Sequence, residues 1–324
     1  MKAVLCKSLD GPDGLKLEDI AVPVPGPGEI RIKVTAIGLN FADTLITRGK
    51  YQFKPELPFS PGAEIAGVVD HLGLGVAGPA VGTRVMAATG WGGTREFVVV
   101  PAASAIAVPS GVPDEVAAGL SVTYGTAIHG LKDRGHLQPG ETVVVTGAAG
   151  GAGLAAVEIA KLMGARVIAV ASSPEKLAAA KAGGATELVQ FPGSDLKDAV
   201  KALTGAKGAD IVYDCIGGAA AEPLVRSLAW HGRFLVVGFA AGEIPKIPLN
   251  LLLVKGAAIA GVFWGEAVRR DPDAHAANMS RLLSWVANGQ LKPRIHAKFP
   301  LAQTADALRV LDRREAQGKV VVTI

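Results

Sequence analysis

Apolar and polar positions fall into two textures along this chain. From Met1 to about Pro113, short runs in which apolar and polar residues alternate (EIRIKV, EIAGVVDHL, RVMAAT, EFVVVP) are cut by Pro/Gly stretches such as VPVPGPG and SPG. Period-two runs bounded by turn residues predict half-buried strands, and so a compact all-β domain. From about Asp114 the apolar runs become nearly continuous: VVVTG, RVIAVA, ELVQF, DIVYDCIG, RFLVVGF and AAIAGVF, each preceded by a helical pattern or a glycine-bearing turn. That alternation predicts parallel strands joined by crossover helices, a doubly wound α/β sheet. After Trp264 come two helical stretches, HAANMSRLLSWVANG and TADALRVLDRREAQG, and a last strand, KVVVTI. Because six strands are already complete by about Phe263, the tail is expected to return to the first domain. The expected boundaries are residues 1–115, 116–263 and 264–324.

Composition narrows the class. The 324 residues are 49% hydrophobic, ample for two buried cores. Two cysteines, Cys6 and Cys215, make no disulfide framework and no cysteine-rich metal lobe. The opening MKAVLCKSLDG lacks the apolar core of a signal peptide, and no run is long and charge-free enough to span a bilayer, so a cytoplasmic protein is expected. The net charge of +4 is scattered rather than gathered into a basic, aromatic-interleaved tract, which argues against a dedicated nucleic-acid module. Neither a GxSxG elbow nor a GxxxxGK[ST] loop is present, which removes the corresponding hydrolase and phosphotransferase readings.

The densest chemical signal runs from Thr142 to Ala171. A buried-strand pattern enters a small-residue loop, passes into an alanine-rich helix and ends in a second strand. Such a turn lets a pyrophosphate rest on backbone N–H groups at the positive end of a helix, so Ala149, Gly150, Gly151, Ala152 and Gly153 are candidate cofactor residues. Of the three glycine places in the dinucleotide fingerprint, Ala148, Gly150 and Gly153 occupy them, the first as a departure. Where an NAD-specific unit carries an acid at the end of the second strand, this chain has Ser172 and Ser173, followed by Pro174 and Lys176. Two hydroxyls and a lysine suit a 2′-phosphate, whereas a carboxylate would repel it; an ordinary capped helix with a solvated lysine is the plain alternative.

Taken in order, GEIRIKVTAIGLNFADTLITRGKY, LPFSPGAEIAGVV, GTRVMAATGWGG, TGAAGGAG, YDCIGG, GRFLVVGF and the closing GKVVV resemble the medium-chain dehydrogenase/reductase superfamily across essentially the whole chain. Among its branches the chain is most similar to the zinc-free quinone oxidoreductases, which include zeta-crystallin. The resemblance implies a GroES-like β-barrel domain completed by the C-terminal segment, a Rossmann domain inserted between its two parts, and an active site in a cleft. Zinc members hold their metal with a Cys in a GxC-like turn and a His in a GHE motif. Here those places read Gly38-Leu39-Asn40 and Gly62-Ala63-Glu64, and catalytic zinc needs about three protein ligands, so no metal is expected. His129 and His136, the only close pair of histidines, flank an inferred helix end and read as surface or structural residues. Without a Lewis acid, simple alcohol oxidation is not expected.

The same resemblance assigns residues. It puts Asn40 near the nicotinamide ribose and the substrate carbonyl, with Tyr51 at the rim of that pocket. Asn40 is equally placed to cap the short helix FADTLITRG, and Tyr51 can be either a proton donor or an apolar wall. Asp43 reads as structural, and Leu45 replaces a tyrosine that many relatives carry. Thr126 and Ala127 match a stretch that touches the cofactor, as do Gly238 and Phe239 after RFLVVGF, and Phe263 and Trp264 after AAIAGVF. Phe191 stands where many relatives have a tyrosine near the adenosine phosphate. Lys319, in the closing motif, faces a phosphate or is a solvated strand start. The expected activity is hydride transfer from NADPH to a quinone or another electron-poor conjugated carbonyl. The rivals are an enone or enoyl-thioester reductase and, from another class, an NADPH-binding structural or RNA-binding protein of the crystallin type. A homodimer is expected from the apolar edge strand AAIAGVF.

Overall fold

The computed structural model describes residues 1–324. Fifteen strands form in chain order: β1 Lys2–Cys6, β2 Leu15–Asp19, β3 Glu29–Leu39, β4 Glu64–Leu72, β5 Arg84–Ala88, β6 Phe97–Pro101, β7 Ile106–Ala107, β8 Thr142–Thr146, β9 Arg166–Ala171, β10 Glu187–Gln190, β11 Ala209–Asp214, β12 Leu228–Val236, β13 Ala258–Gly261, β14 Ile295–Pro300 and β15 Lys319–Thr323. The chain divides into two compact units, Met1–Thr123 with Met279–Ile324, and Tyr124–Asn278. Both crossings lie later than the sequence suggested. The helix Trp264–Arg270 and the start of Pro272–Ala287 belong to the second unit, and only the later half of that helix joins the first.

In the first unit a seven-stranded sheet runs β14-β15-β3-β4-β5-β7, with β6 also paired to β3. The alternating pattern of β3 buries Ile30, Ile32 and Val34 as its period-two reading requires, and these join Ile65, Val85, Val98 and Val320 in one core. The C-terminal strand β15 lies between β14 and β3, pairing Val320 with Leu39 and Val321 with Gly38. The tail therefore completes this unit from within its sheet. β14 (IHAKFP) was not legible in the sequence, because only parallel pairing to β15 makes that mixed segment a strand.

The second unit is a six-stranded parallel sheet in the order β10-β9-β8-β11-β12-β13. Its central strands β8 and β11 are buried at every position, as expected of a parallel sheet covered on both faces. The winding direction reverses between β8 and β11, the place where open α/β sheets take ligands at the carboxyl ends of their strands. Across that point the Thr146 hydroxyl donates to Asp214 at 2.6 Å and accepts the Cys215 N–H at 2.9 Å, tying the two strand ends together.

Candidate active site

The nucleotide half lies wholly on the second unit. β8 ends at Thr146, and the helix Gly151–Leu162 starts after a turn whose left-handed residue is Gly147, at φ 59°. This explains the departure at the first fingerprint place. The residue needing glycine's freedom is Gly147, one position earlier, so Ala148 packs there fully buried without strain. Gly153 is needed for another reason: a β-carbon there would stand 2.1 Å from the Gly147 carbonyl oxygen, so only glycine lets the helix pack this close to the loop. With Gly150 as N-cap and no side chain bonded to the first turn, the N–H groups of Gly151, Ala152 and Gly153 lack helical partners and form an anion-binding end.

At the end of β9, Ser173 caps the helix Pro174–Gly183 by accepting the Lys176 N–H at 3.4 Å, with Pro174 at the first helical position. The Lys176 ammonium reaches the Ser172 hydroxyl at 3.2 Å, so the three candidate phosphate residues form one cluster, with the exposed Glu175 carboxylate hydrogen-bonded to Ser173 at its edge. Phe191 packs half-buried on the core beside them. Around the other strand ends, Gly238 is half-buried, and Phe239 and Phe263 expose 39% and 49% of their surface, large for phenylalanine. Trp264 packs edge-on against His275 at 5.6 Å, and Thr126 is half-buried in the helix Gly125–Ile128. Cys215 behaves as the small hydrophobe expected, since burial pushes its thiol far up from the ordinary range.

The first unit holds a buried polar cluster at one end of its sheet. The register pairs Gly38 of β3 with Glu64 of β4, and β15 with β3, which brings Asn40, Glu64 and Lys319 together from distant parts of the chain. The Lys319 ammonium donates to Asn40 Oδ1 at 2.6 Å and pairs with Glu64, and Asn40 Nδ2 donates to Glu64 Oε1 at 3.0 Å. Glu64 Oε2 also accepts the Val122 N–H at 2.9 Å. Below them Asp43, fully buried, accepts the N–H groups of Asn40 and Gly62 at 2.8 and 2.9 Å. Both readings of Asn40 thus meet in one residue: it starts the helix Phe41–Ile46 and presents a fixed amide. Burial raises the Asp43 carboxyl to about 6 despite those two donors, while burial and the Asp43 charge keep the Tyr51 phenol above its ordinary value. Tyr51 opens an aromatic row, with Phe53 at 5.9 Å from it and Trp91 at 6.4 Å from Phe53.

Two sequence readings change here. Lys319 is not a solvated strand start: it is 3% exposed, because β15 is an interior strand and its first residue faces the Asn40 and Glu64 side chains. Glu64 was passed over, although an acid opening the apolar run EIAGVV signals a buried charge in need of a partner. Of the histidine pair, His129 bonds Asp133 at 3.1 Å and His136 is exposed, as expected of structural and surface residues.

This is the architecture of a two-domain nicotinamide-type oxidoreductase. Residues 26–110 match the family described as alcohol dehydrogenase GroES-like domain, and residues 151–285 match the zinc-binding dehydrogenase family. Over 99% of its length the chain is 41% identical to quinone oxidoreductase-like protein 2 homolog of Nematostella vectensis, covering 88% of that protein, and it is 39% identical to quinone oxidoreductase-like protein 2 of Rattus norvegicus, covering 92%. The quinone oxidoreductase of Thermus thermophilus, solved also in complex with NADPH, superposes with a TM-score of 0.88 at 37% identity, each chain covering all of the other. The chain belongs to the medium-chain dehydrogenase/reductase superfamily, in its quinone oxidoreductase branch, and is an oxidoreductase.

The name of the second matching family implies zinc, and the residues do not fit it. The Asn40 and Glu64 oxygens are engaged by an ammonium, Ala63 offers no donor, and no three His, Cys, Asp or Glu side chains converge on one point. No helix is long and apolar enough to cross a membrane.

Proposed function

We propose that this protein is an NADPH-dependent reductase that passes a hydride to quinones or closely related conjugated carbonyls without a metal ion. The observation that carries the reading is the Asn40 amide, buried and gripped on both sides, with no free strong acid beside it. Such a group can donate a hydrogen bond to an acceptor oxygen as negative charge develops there, but the site has little to protonate it with. Asp43 and Glu64 are occupied by N–H donors, and the raised Tyr51 phenol is a weak acid. Quinones suit this poverty, because their reduced oxyanions are stabilised by their own conjugation and take protons from water. The row Tyr51, Phe53 and Trp91 favours a flat apolar acceptor over a long phosphorylated one.

NADPH, when bound, supplies the hydride. The glycine loop and helix end would hold its pyrophosphate, and Ser172, Ser173 and Lys176 its 2′-phosphate, since β9 is followed by serines where an NAD-specific unit carries an acid. A relative solved with NADPH supports that choice. The test is a panel of fused-ring quinones, aliphatic enones and enoyl thioesters, each with NADPH and NADH. Quinones with NADPH should turn over fastest. Faster turnover of enoyl thioesters would move the assignment to that class, and a preference for NADH would remove the phosphate site.

A further inference from the structure

A second element of the same site emerges from a charge that the proposed chemistry leaves unused. We propose that Lys319 is the built-in cation of the site: it occupies the metal's place between Asn40 and Glu64 and, as a positioning residue, sets the Asn40 amide for the acceptor. The inference rests on the reading of Asn40 as the hydrogen-bond donor.

An amide's oxygen and nitrogen ends are decided by their partners, and here the partners leave no choice. An ammonium only donates and an ionised carboxylate only accepts, so Asn40 Oδ1 must meet Lys319 and Nδ2 must meet Glu64. One Nδ2 hydrogen is then committed to Glu64. The other meets only the Gly38 carbonyl at 3.5 Å, the outer limit of a hydrogen bond, and is the one free to serve an acceptor oxygen. A cation on Oδ1 also polarises the amide and makes Nδ2 a stronger donor, in a buried place where such polarisation is little screened.

The fold makes room for this lysine. A β-carbon on Gly119 would stand 2.9 Å from Lys319 Cγ, so this glycine clears a path for the stem; Gly38, which the Ala118 carbonyl approaches to 2.1 Å of where a β-carbon would be, also lies 2.9 Å from Lys319 Cε by the same measure. The ammonium lies against the two oxygens a metal would need. A divalent ion there would face a fixed positive charge in a buried place where charges are little screened.

Lys319→Met, Lys319→Arg and Asn40→Ala are compared with wild type for quinone turnover, for NADPH affinity by direct titration, and for the Asn40 side-chain amide signals in an NMR spectrum, assigned by their loss in Asn40→Ala. Lys319→Met should lower kcat at least 30-fold, change the NADPH Kd less than threefold and shift the Asn40 amide signals, and Lys319→Arg should recover much of the loss. Adding Asn40→Ala to Lys319→Met should cost less than a further threefold. Should the single variant not fold, Lys319→Met/Glu64→Leu removes both charges together, an exchange that buried ion pairs tolerate, and should show the same kcat loss. The inference is overturned by a kcat within threefold of wild type in either variant, or by a loss of NADPH affinity as large as the loss of turnover, which would make Lys319 a phosphate ligand. Unmoved Asn40 signals, or stoichiometric zinc whose removal abolishes activity, overturn it equally. If wild type reduces no quinone, the functional reading fails alone, and the amide signals and zinc content still decide the role of Lys319.

Discussion

Ser172, Ser173 and Lys176 are bonded to one another, so a change at one is felt by the others. Removing the Lys176 ammonium takes away one charge-assisted hydrogen bond, and Lys176→Ala should weaken NADPH by about 1–3 kcal/mol while leaving NADH nearly unchanged, measured by titration of each. Ser172→Asp should go further, repelling the 2′-phosphate and giving the NADH ribose a partner. Equal losses for both cofactors would reduce Lys176 to a support for the helix. These three residues were readable in SSPEK because capping chemistry is local. The partners of Lys319 were not, since nothing within a few residues of it reports the oxygens it meets.

At the scale of elements, the helix Gly151–Leu162 makes two demands. It starts against the Gly147 carbonyl, so Gly153→Ala should push the helix off the loop, costing on the order of 2 kcal/mol in stability and most of the NADPH affinity, both followed by thermal shift with and without cofactor. It also buries Glu158, whose carboxylate accepts the Tyr124 hydroxyl at 2.5 Å. Burial raises this acid to about 7 against the opposing pull of Tyr124 and Lys161. Between the unfolded value near 4.3 and 7 the folded chain holds a proton that the unfolded chain lacks, so this contribution to stability is full at low pH and is lost as pH rises towards 7. Glu158→Gln keeps an acceptor for Tyr124 and carries no charge. It should match wild type at pH 4 and exceed it by about 3 kcal/mol at pH 8 in denaturant unfolding. Parallel pH profiles for the two proteins would show that Glu158 does not titrate in this range. The sequence signalled the helix through its alanines and the loop through its glycines, whereas the buried acid was hidden in a regular helical pattern.

For the molecule as a whole, an exposed apolar sheet edge bears on assembly. β13 ends the six-stranded sheet, and Ala258, Ile259 and Gly261 on it are exposed. The same unit exposes Trp230, Leu249, Leu253 and Val254, large apolar side chains that a lone copy would leave to solvent. An apolar edge with unpaired backbone groups suits a second copy, with strand joined to strand. A homodimer is therefore expected in sedimentation at micromolar concentration, and Ile259→Lys should shift it towards monomer without unfolding either unit. A monomeric wild type would leave these side chains without a partner of this kind.

Much of this architecture followed from the chain read linearly. The strands of the parallel sheet, the crossover helices, the glycine loop and the serines after β9 depend on periodicity and turn chemistry that act over a few residues, and they appear where the pattern put them. The substitution of the metal ligands by Asn40 and Ala63 was equally plain, since it needs only the residue types. Other features came with the tertiary structure. The pairing of β15 with β3 made Lys319 the partner of Asn40, burial brought Asp43 to about 6, and parallel pairing made a strand of β14. Sheet register and exclusion of water belong to no short segment, because each depends on which distant parts of the chain come to lie side by side.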